Sequence, residues 1–186
     1  MLKIFEEEPR NLTEAILRIL AAGAVLPAIL IMPGVGRLFV EERSPWKKFD
    51  EKKLKPRIKN LLKRKLLAIG EEDGEVVIKL AEKGKTYLLK YDLERMKIKK
   101  PGKWDGKWRV VVFDIPNSQK GEREVFREKL KQLEFYPLQK SVFLTPYPCF
   151  SEIEFLRQVL GVGEYVRILM VEKLEGENLF KRHFGL

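Results

Sequence analysis

Apolar residues recur at three- and four-residue spacing across residues 49–66, in the most basic part of the chain. The repeating positions are Phe49, Leu54, Ile58, Leu61, Leu62 and Leu66. This spacing predicts an amphipathic helix with one buried face. Pro56 lies inside the repeat, so we expect the helix proper to begin at Lys55, with the proline in its first turn.

The flanking patterns predict a helical domain with a β-hairpin over residues 10–98. A first helix is capped by Asn11 or Thr13, and a second short helix covers Val25 to Met32. After the basic helix, Asp73-Gly74 is a favoured tight-turn pair between two apolar runs, and another helix follows the hairpin. This order of elements is typical of a winged helix-turn-helix, whose basic helix lies in the major groove of DNA.

After a basic linker over residues 96–103, the second half alternates strands and helices. The predicted elements are a strand Arg109–Ile115, a helix Gln119–Leu133, one or two strands within Phe135–Leu144, a helix Ser151–Leu160 and a strand Tyr165–Leu174. The order β-α-β-β-α-β is that of the ferredoxin-like fold. We therefore predict an α+β protein with a ferredoxin-like domain over residues 104–186, including a short C-terminal tail.

Three details of this second domain are specific enough to check. Pro137 is expected to break the region between Phe135 and Leu144, because proline cannot donate to a strand ladder. Ser151 is expected to cap its helix, with Glu154 at capping-box spacing. Val125 is expected to face inward together with Phe126, Leu130 and Leu133.

Charge is distributed unevenly along the chain. Residues 1–103 carry 24 Lys and Arg against 15 Asp and Glu, while residues 104–186 carry 13 against 12, so the first part holds +9 of the net +10. Ten bases and two acids lie between residues 47 and 65, which favours double-stranded DNA as the partner. The predicted DNA-binding residues are Lys47, Lys48, Lys52, Lys53, Lys55, Arg57, Lys59, Asn60, Lys63, Arg64 and Lys65.

Composition indicates the cellular compartment in which this protein is expected. A single cysteine, Cys149, excludes a disulfide scaffold, and the acidic start of the chain is unlike a signal peptide, so we expect a cytoplasmic protein. The uncharged run from Ile19 to Pro33 is the one membrane candidate, but glycines and prolines interrupt it. We interpret it as a buried helical hairpin that turns near Pro27, and a membrane-tethered regulator is the weakest alternative.

Asp114 ends the apolar strand before Ile115 and Pro116, and three roles stay open for it: a metal ligand, a helix cap or a dimer contact. Asn117 and Ser118 are candidates for helix caps or for groups that support such a site. Cleavage of a phosphodiester with a metal normally needs more than one carboxylate, and a second copy of the chain would supply a second Asp114.

The run KWDGKWRVVVFDIP at residues 103–116 closely resembles the W-D-G-x-W-R-hydrophobic-F-D-I-P signature of the PaaX-type transcriptional regulators. The run LQKSVFLTP at residues 138–146 is similar to a second block of that family, and LAEKG at residues 80–84 resembles part of its winged-helix half. The resemblance implies a repressor-like DNA-binding protein that forms a homodimer through its ferredoxin-like domain. It also implies that the C-terminal domain of such regulators, with any effector pocket there, is absent from these residues.

The second domain is also similar to the small CRISPR-associated endonuclease and spacer-integration subunit, Cas-two. In that family the aspartate matching Asp114 binds a divalent metal across a dimer. Because most of the net positive charge lies in the first part of the chain, we favour a dimeric transcriptional regulator that needs no cofactor. The alternative is a Mg²⁺- or Mn²⁺-dependent nuclease or integration subunit, in which Asp114 is the catalytic and metal-binding residue.

Overall fold

The computed structural model describes residues 11–31 and 45–186. The chain divides into two units, Met1–Glu94 and Arg95–Leu186. Each unit contains one antiparallel sheet and helices, which confirms the α+β class. The described residues include no helix long and apolar enough to cross a membrane.

The first described element of the first unit is helix α1 (Leu12–Ala21), and Asn11 caps it by accepting the Glu14 N–H at 3.0 Å. The helix predicted from Val25 is wrong over the described residues, and Met32 lies outside them. Strand β1 (Leu26–Pro27) and a 3₁₀ turn (Ala28–Ile31) stand in its place. Strand β1 forms the edge of its sheet, where the missing N–H of proline is tolerated.

Helix α2 (Glu51–Lys63) begins four residues before the expected start, so the prediction that it begins at Lys55 is wrong. Asp50 caps it, because its side chain accepts the Lys52 N–H at 2.9 Å and its carbonyl accepts the Leu54 N–H at 2.9 Å. Pro56 consequently lies inside the helix, where it forfeits the one hydrogen bond that its N–H would have made.

Strands β2 (Leu67–Glu72) and β3 (Glu75–Leu80) form the predicted hairpin. Asp73 and Gly74 both have positive φ, 52° and 80°, as the two central residues of a type I′ turn do. The sheet order is β1-β3-β2, and helix α3 (Glu82–Arg95) follows. One core joins these elements, with Leu17, Leu54, Ile78 and Leu88 among its buried residues.

The second unit contains a four-stranded antiparallel sheet and three helices. Its elements are β4 (Trp108–Phe113), α4 (Lys120–Gln132), β5 (Tyr136–Gln139), β6 (Val142–Thr145), α5 (Phe150–Leu160), β7 (Val166–Val171) and α6 (Glu177–Phe184). The strand order β5-β6-β4-β7, with the element order β-α-β-β-α-β before α6, is ferredoxin-like, as predicted. Strands β5 and β7 are the edges of this sheet.

Three local predictions in this unit are wrong. The strands separate at Lys140 and Ser141 rather than at Pro137, which lies in the edge strand β5 beside an irregularity in the register. Val125 is 44% exposed, whereas Phe126 and Leu130 of the same helix are fully buried. Ser151 is not the cap, because α5 starts at Phe150 and the Cys149 carbonyl already accepts the Ile153 N–H at 3.0 Å.

Strand β4 is buried on both faces. On one face Phe113 packs against Phe126 and Phe143, with ring centroids 5.1 and 6.0 Å away. On the other face Trp108 packs against Phe180, at 6.1 Å. Phe180 belongs to α6, so the predicted C-terminal tail is a helix that covers part of the sheet.

Candidate nucleic-acid interface

Helix α2 is held by one face and exposes the others. Leu54, Ile58 and Leu61 are fully buried, at the i, i+4 and i+7 positions that share a helix face. They join the same core as Trp46, whose indole N–H donates to the Val25 carbonyl at 2.9 Å. This anchoring leaves the remaining positions of α2 facing solvent.

The predicted DNA-binding residues lie on and around this exposed surface, which we call the α2 surface. Those that are exposed in the structure are Lys47, Lys48, Lys52, Lys53, Arg57, Lys59, Asn60, Lys63, Arg64 and Lys65. Lys55 is half-buried and its ammonium lies 3.8 Å from the Glu51 carboxylate. The two acids, Asp50 and Glu51, occupy the N-terminal end of the helix, so its middle and its C-terminal end carry only cationic or neutral groups.

Two of these basic side chains also lie over aromatic rings of the same unit. The Arg64 guanidinium is 5.7 Å from the centre of the Tyr87 ring, and the Lys48 ammonium is 5.3 Å from that of Phe49. Such contacts orient a cation without neutralising it. Both groups therefore keep their positive charge for a polyanion.

The hairpin tip has the opposite charge. Glu71, Glu72, Asp73 and Glu75 surround the turn. Lys79 compensates one of them, because its ammonium is 3.1 Å from the Glu72 carboxylate and donates to the Glu71 carbonyl at 2.9 Å. Repulsion from phosphates makes this tip unsuited to contact with a nucleic-acid backbone.

Asp114 directly follows β4 and its side chain is exposed. Its N–H donates to the Tyr165 carbonyl at 2.9 Å, so its backbone continues the pairing of β4 with the chain before β7. Asn117 accepts a hydrogen bond from Arg123 at 3.0 Å rather than capping a helix with its side chain.

The donor set around Asp114 does not fit a divalent metal within one chain. Mg²⁺ and Mn²⁺ need several oxygen ligands at fixed geometry. Across residues 11–31 and 45–186 there is no cluster of three or more His, Cys, Asp or Glu side chains that could hold a metal ion. One Asp114 carboxylate is therefore too few, and a second copy of the chain would bring another.

The W-D-G-x-W-R signature has a structural role in this unit. Arg109 is buried, and its guanidinium donates to both Asp105 carboxylate oxygens at 2.7 and 2.5 Å and to the Pro146 carbonyl at 2.9 Å. This fork lowers the pKa of Asp105 to about 2. Trp104 packs on Trp108 with ring centroids 4.9 Å apart.

The Asp105–Arg109 pair was not predicted, although its signal is present in the sequence. Arg109 opens a predicted buried strand, and a buried charge needs a partner of opposite sign. The acid nearest to it in the sequence is Asp105, four residues earlier. Cys149, in contrast, is 1% exposed, and burial raises the pKa of its thiol to about 12. A thiol that stays protonated at neutral pH is a poor nucleophile.

Comparison with known proteins supports the resemblance in the second unit. Residues 101–180 match the family model described as the PaaX protein central Cas2-like domain. The match contains the signature run, Asp114, the β5–β6 region and the first half of α6. The search of curated proteins gave no match.

Proposed function

We propose that this chain is a dimeric, DNA-binding transcriptional regulator whose first unit is a winged helix-turn-helix. The sheet order β1-β3-β2, with α2 directly before the β2–β3 hairpin, supports that assignment. In such folds the helix before the hairpin enters the major groove. The match of residues 101–180 to a domain of the PaaX protein supports a regulatory role.

The observation that carries the proposal is the division of α2 into two kinds of surface. Leu54, Ile58 and Leu61 fix the helix in the core, and the α2 surface is cationic. A rigid element with a one-sided positive charge neutralises phosphates with little loss of conformational entropy. Each phosphate contact then adds to the salt dependence of binding.

The side chains of the α2 surface favour contact with the backbone over reading of bases. Lysines and arginines dominate it, and Asn60 is the amide side chain on the helix suited to adenine. We therefore propose that Lys59, Lys63 and Arg64 contribute mainly affinity. Asn60 and Arg57 are the candidates for base contacts.

A second copy would pair through the second unit. Strands β5 and β7 are the edges of its sheet, and the edge strand β7 exposes 49% of Leu169 and 61% of Met170. Exposed, apolar edge strands are normally covered or paired. A two-fold dimer would present two α2 helices to the two halves of a palindromic site.

Fluorescence anisotropy tests this proposal. It measures binding of the full chain to a short mixed-sequence duplex at several salt concentrations. Lys59→Gln should weaken binding and lower the slope of log K against log salt by about 2, because each protomer of the dimer loses one phosphate contact. Lys90→Gln is the matched control, since Lys90 is also exposed but belongs to α3. Equal slopes for both variants and the wild type would contradict the proposal.

The alternative function is a Mg²⁺- or Mn²⁺-dependent nuclease or integration subunit. The Cas2-like description of the matched domain and the exposure of Asp114 favour it. Footprinting on genomic DNA with and without divalent metal separates the two functions. Metal-dependent cleavage that is lost in Asp114→Ala would replace the regulator proposal, whereas protection without cleavage, unchanged in that variant, agrees with it.

A further inference from the structure

Helix α4 and the turn between β5 and β6 line an open groove of about 540 Å³ in the second unit, which we call the α4 groove. Its charged lining residues are Arg123, Glu124, Arg127, Lys131 and Lys140. Four cations therefore face one carboxylate. This local excess is hidden in the nearly neutral total charge of residues 104–186.

The three basic residues that α4 contributes to the groove form a line. Arg123, Arg127 and Lys131 are four residues apart, so they lie on one face of the helix. At a rise of about 1.5 Å per residue, they span roughly 12 Å along the helix axis. Lys140 approaches from the β5–β6 turn and is exposed.

Backbone carbonyls hold both arginines in place. Arg123 Nη1 donates to the Ile115 carbonyl at 3.0 Å, and Arg127 Nε donates to the Lys140 carbonyl at 2.9 Å. Arg127 also pairs with Glu124, which lowers the pKa of that carboxyl and keeps it ionised. The side chains are therefore ordered before any ligand arrives, which reduces the entropy cost of binding.

These anchors leave donors free for a ligand. In both arginines Nη2 makes no hydrogen bond to any residue that the structure describes, and over the same residues the Lys140 ammonium has no ion-pair partner. Lys131 differs from Lys140, because its ammonium lies 2.7 Å from the Glu128 carboxylate. Both arginines likewise have an acidic neighbour, Glu124, so the donors that they leave for a ligand are their Nη2 groups.

The chemistry of these donors favours phosphate. Guanidinium groups present a planar fork of N–H donors that matches phosphate oxygens, and ammonium groups add charge. The groove is open, whereas sites for small ligands enclose most of the ligand surface. A line of cations along an open groove suits a backbone with successive phosphates.

We propose that the α4 groove binds the phosphodiester backbone of duplex DNA, as a second nucleic-acid contact of this chain. The inference rests on the proposed function, because it assumes that DNA is the partner. It assigns Arg123, Arg127 and Lys140 to phosphate contacts in the second unit, although residues 104–186 are nearly neutral in total charge.

Anisotropy of the full chain with the same short duplex tests the groove. Lys140→Gln should lower the salt slope by about 2, since each protomer of the dimer loses one phosphate contact, and Lys131→Gln should lower it less, because the Lys131 ammonium already pairs with Glu128. Lys173→Gln is the matched control, because Lys173 is exposed in the same unit outside the groove. Thermal unfolding checks that the variants fold, as substitution of these exposed side chains should allow.

The outcomes separate this inference from the proposed function. Unchanged slopes for the groove variants, with a reduced slope for Lys59→Gln, would overturn the groove and leave the α2 surface as the DNA contact. Unchanged slopes for all of them would overturn both. Pyrophosphate binding measured by calorimetry, lost in Lys140→Gln while the duplex slope is unchanged, would overturn DNA as the ligand in favour of a free phosphate compound.

Discussion

Gly84 lies where the start of α3 comes closest to the chain between α2 and β2. A Cβ at this position would be 2.1 Å from the Leu66 carbonyl oxygen and 2.6 Å from Leu80 Cδ1. The Leu66 carbonyl cannot move freely, because it accepts the Ala81 N–H at 3.1 Å. Gly84→Ala should therefore destabilise the first unit by about 1–3 kcal/mol, measured by urea unfolding.

Gly121→Ala provides the control for this prediction. Gly121 is in α4, and a Cβ there would meet nothing within 4 Å. Alanine should raise stability by up to about 1 kcal/mol at such a position, because it favours the helix. If Gly84→Ala is as stable as the wild type, the close approach to Leu66 is not present in the folded protein.

The Asp105–Arg109 pair predicts a dependence of stability on pH. The pKa of Asp105 in the folded protein is about 2, below the ordinary value of about 3.9 for an unfolded aspartate. A depressed pKa stabilises the fold above the unfolded pKa, and this contribution is lost as pH falls from about 4 towards 2. Because the Asp105 side chain is 47% exposed, solvent screens part of the effect.

The measurement compares the unfolding free energy of wild type and Asp105→Asn across this pH range. The variant should be less stable than the wild type near neutral pH and should lose less stability on acidification. Equal acid sensitivity in the two proteins would show that the ion pair does not control the second unit. Arg109 stays charged throughout, so Asp105 is the titrating partner.

At the scale of elements, Pro56 weakens helix α2. The side chain is exposed, and the proline removes one main-chain hydrogen bond from the helix interior. Pro56→Ala should therefore raise the stability of the first unit by about 1–3 kcal/mol, seen as a higher thermal midpoint. A lower midpoint would mean that Pro56 supports a bend that the unit needs.

The elements that sequence patterns predicted well are those whose signals are local. The spacing of Leu54, Ile58 and Leu61 and the Asp73-Gly74 turn required no knowledge of neighbouring elements. The errors at Val25–Met32 and Pro137 share a cause. Pro27 and Pro137 both lie in edge strands, where proline is tolerated. Which strand is at the edge depends on the tertiary fold, and the local sequence does not contain that information.

The candidate site was predictable to a similar extent. Counting charges identified the α2 surface, whose residues are nearly all exposed as expected. The α4 groove was missed, because acids elsewhere in residues 104–186 cancel its charge and only the fold brings Lys140 next to Arg127. The role of Asp114 stays a prediction, since a shared site needs a second copy of the chain.

For the whole molecule, the proposed dimerisation would determine how strongly the proposed DNA binding responds to salt. A dimer that applies two α2 surfaces to one duplex contacts about twice as many phosphates as a monomer. The slope of log K against log salt should then be about twice as steep. The oligomeric state and the salt slope are therefore coupled, and a change in one should be visible in the other.

A charge placed on the edge strand β7 tests this coupling. Leu169→Lys should convert the proposed dimer to a monomer in light scattering, because lysine on an edge strand opposes pairing between sheets. The salt slope should fall by about half in the same variant. Leu179→Lys is the matched control, since Leu179 is 51% exposed, close to the 49% of Leu169, but belongs to α6. A Leu169→Lys protein that stays dimeric would place the dimer contact away from β7, and a Leu179→Lys monomer would place it on α6.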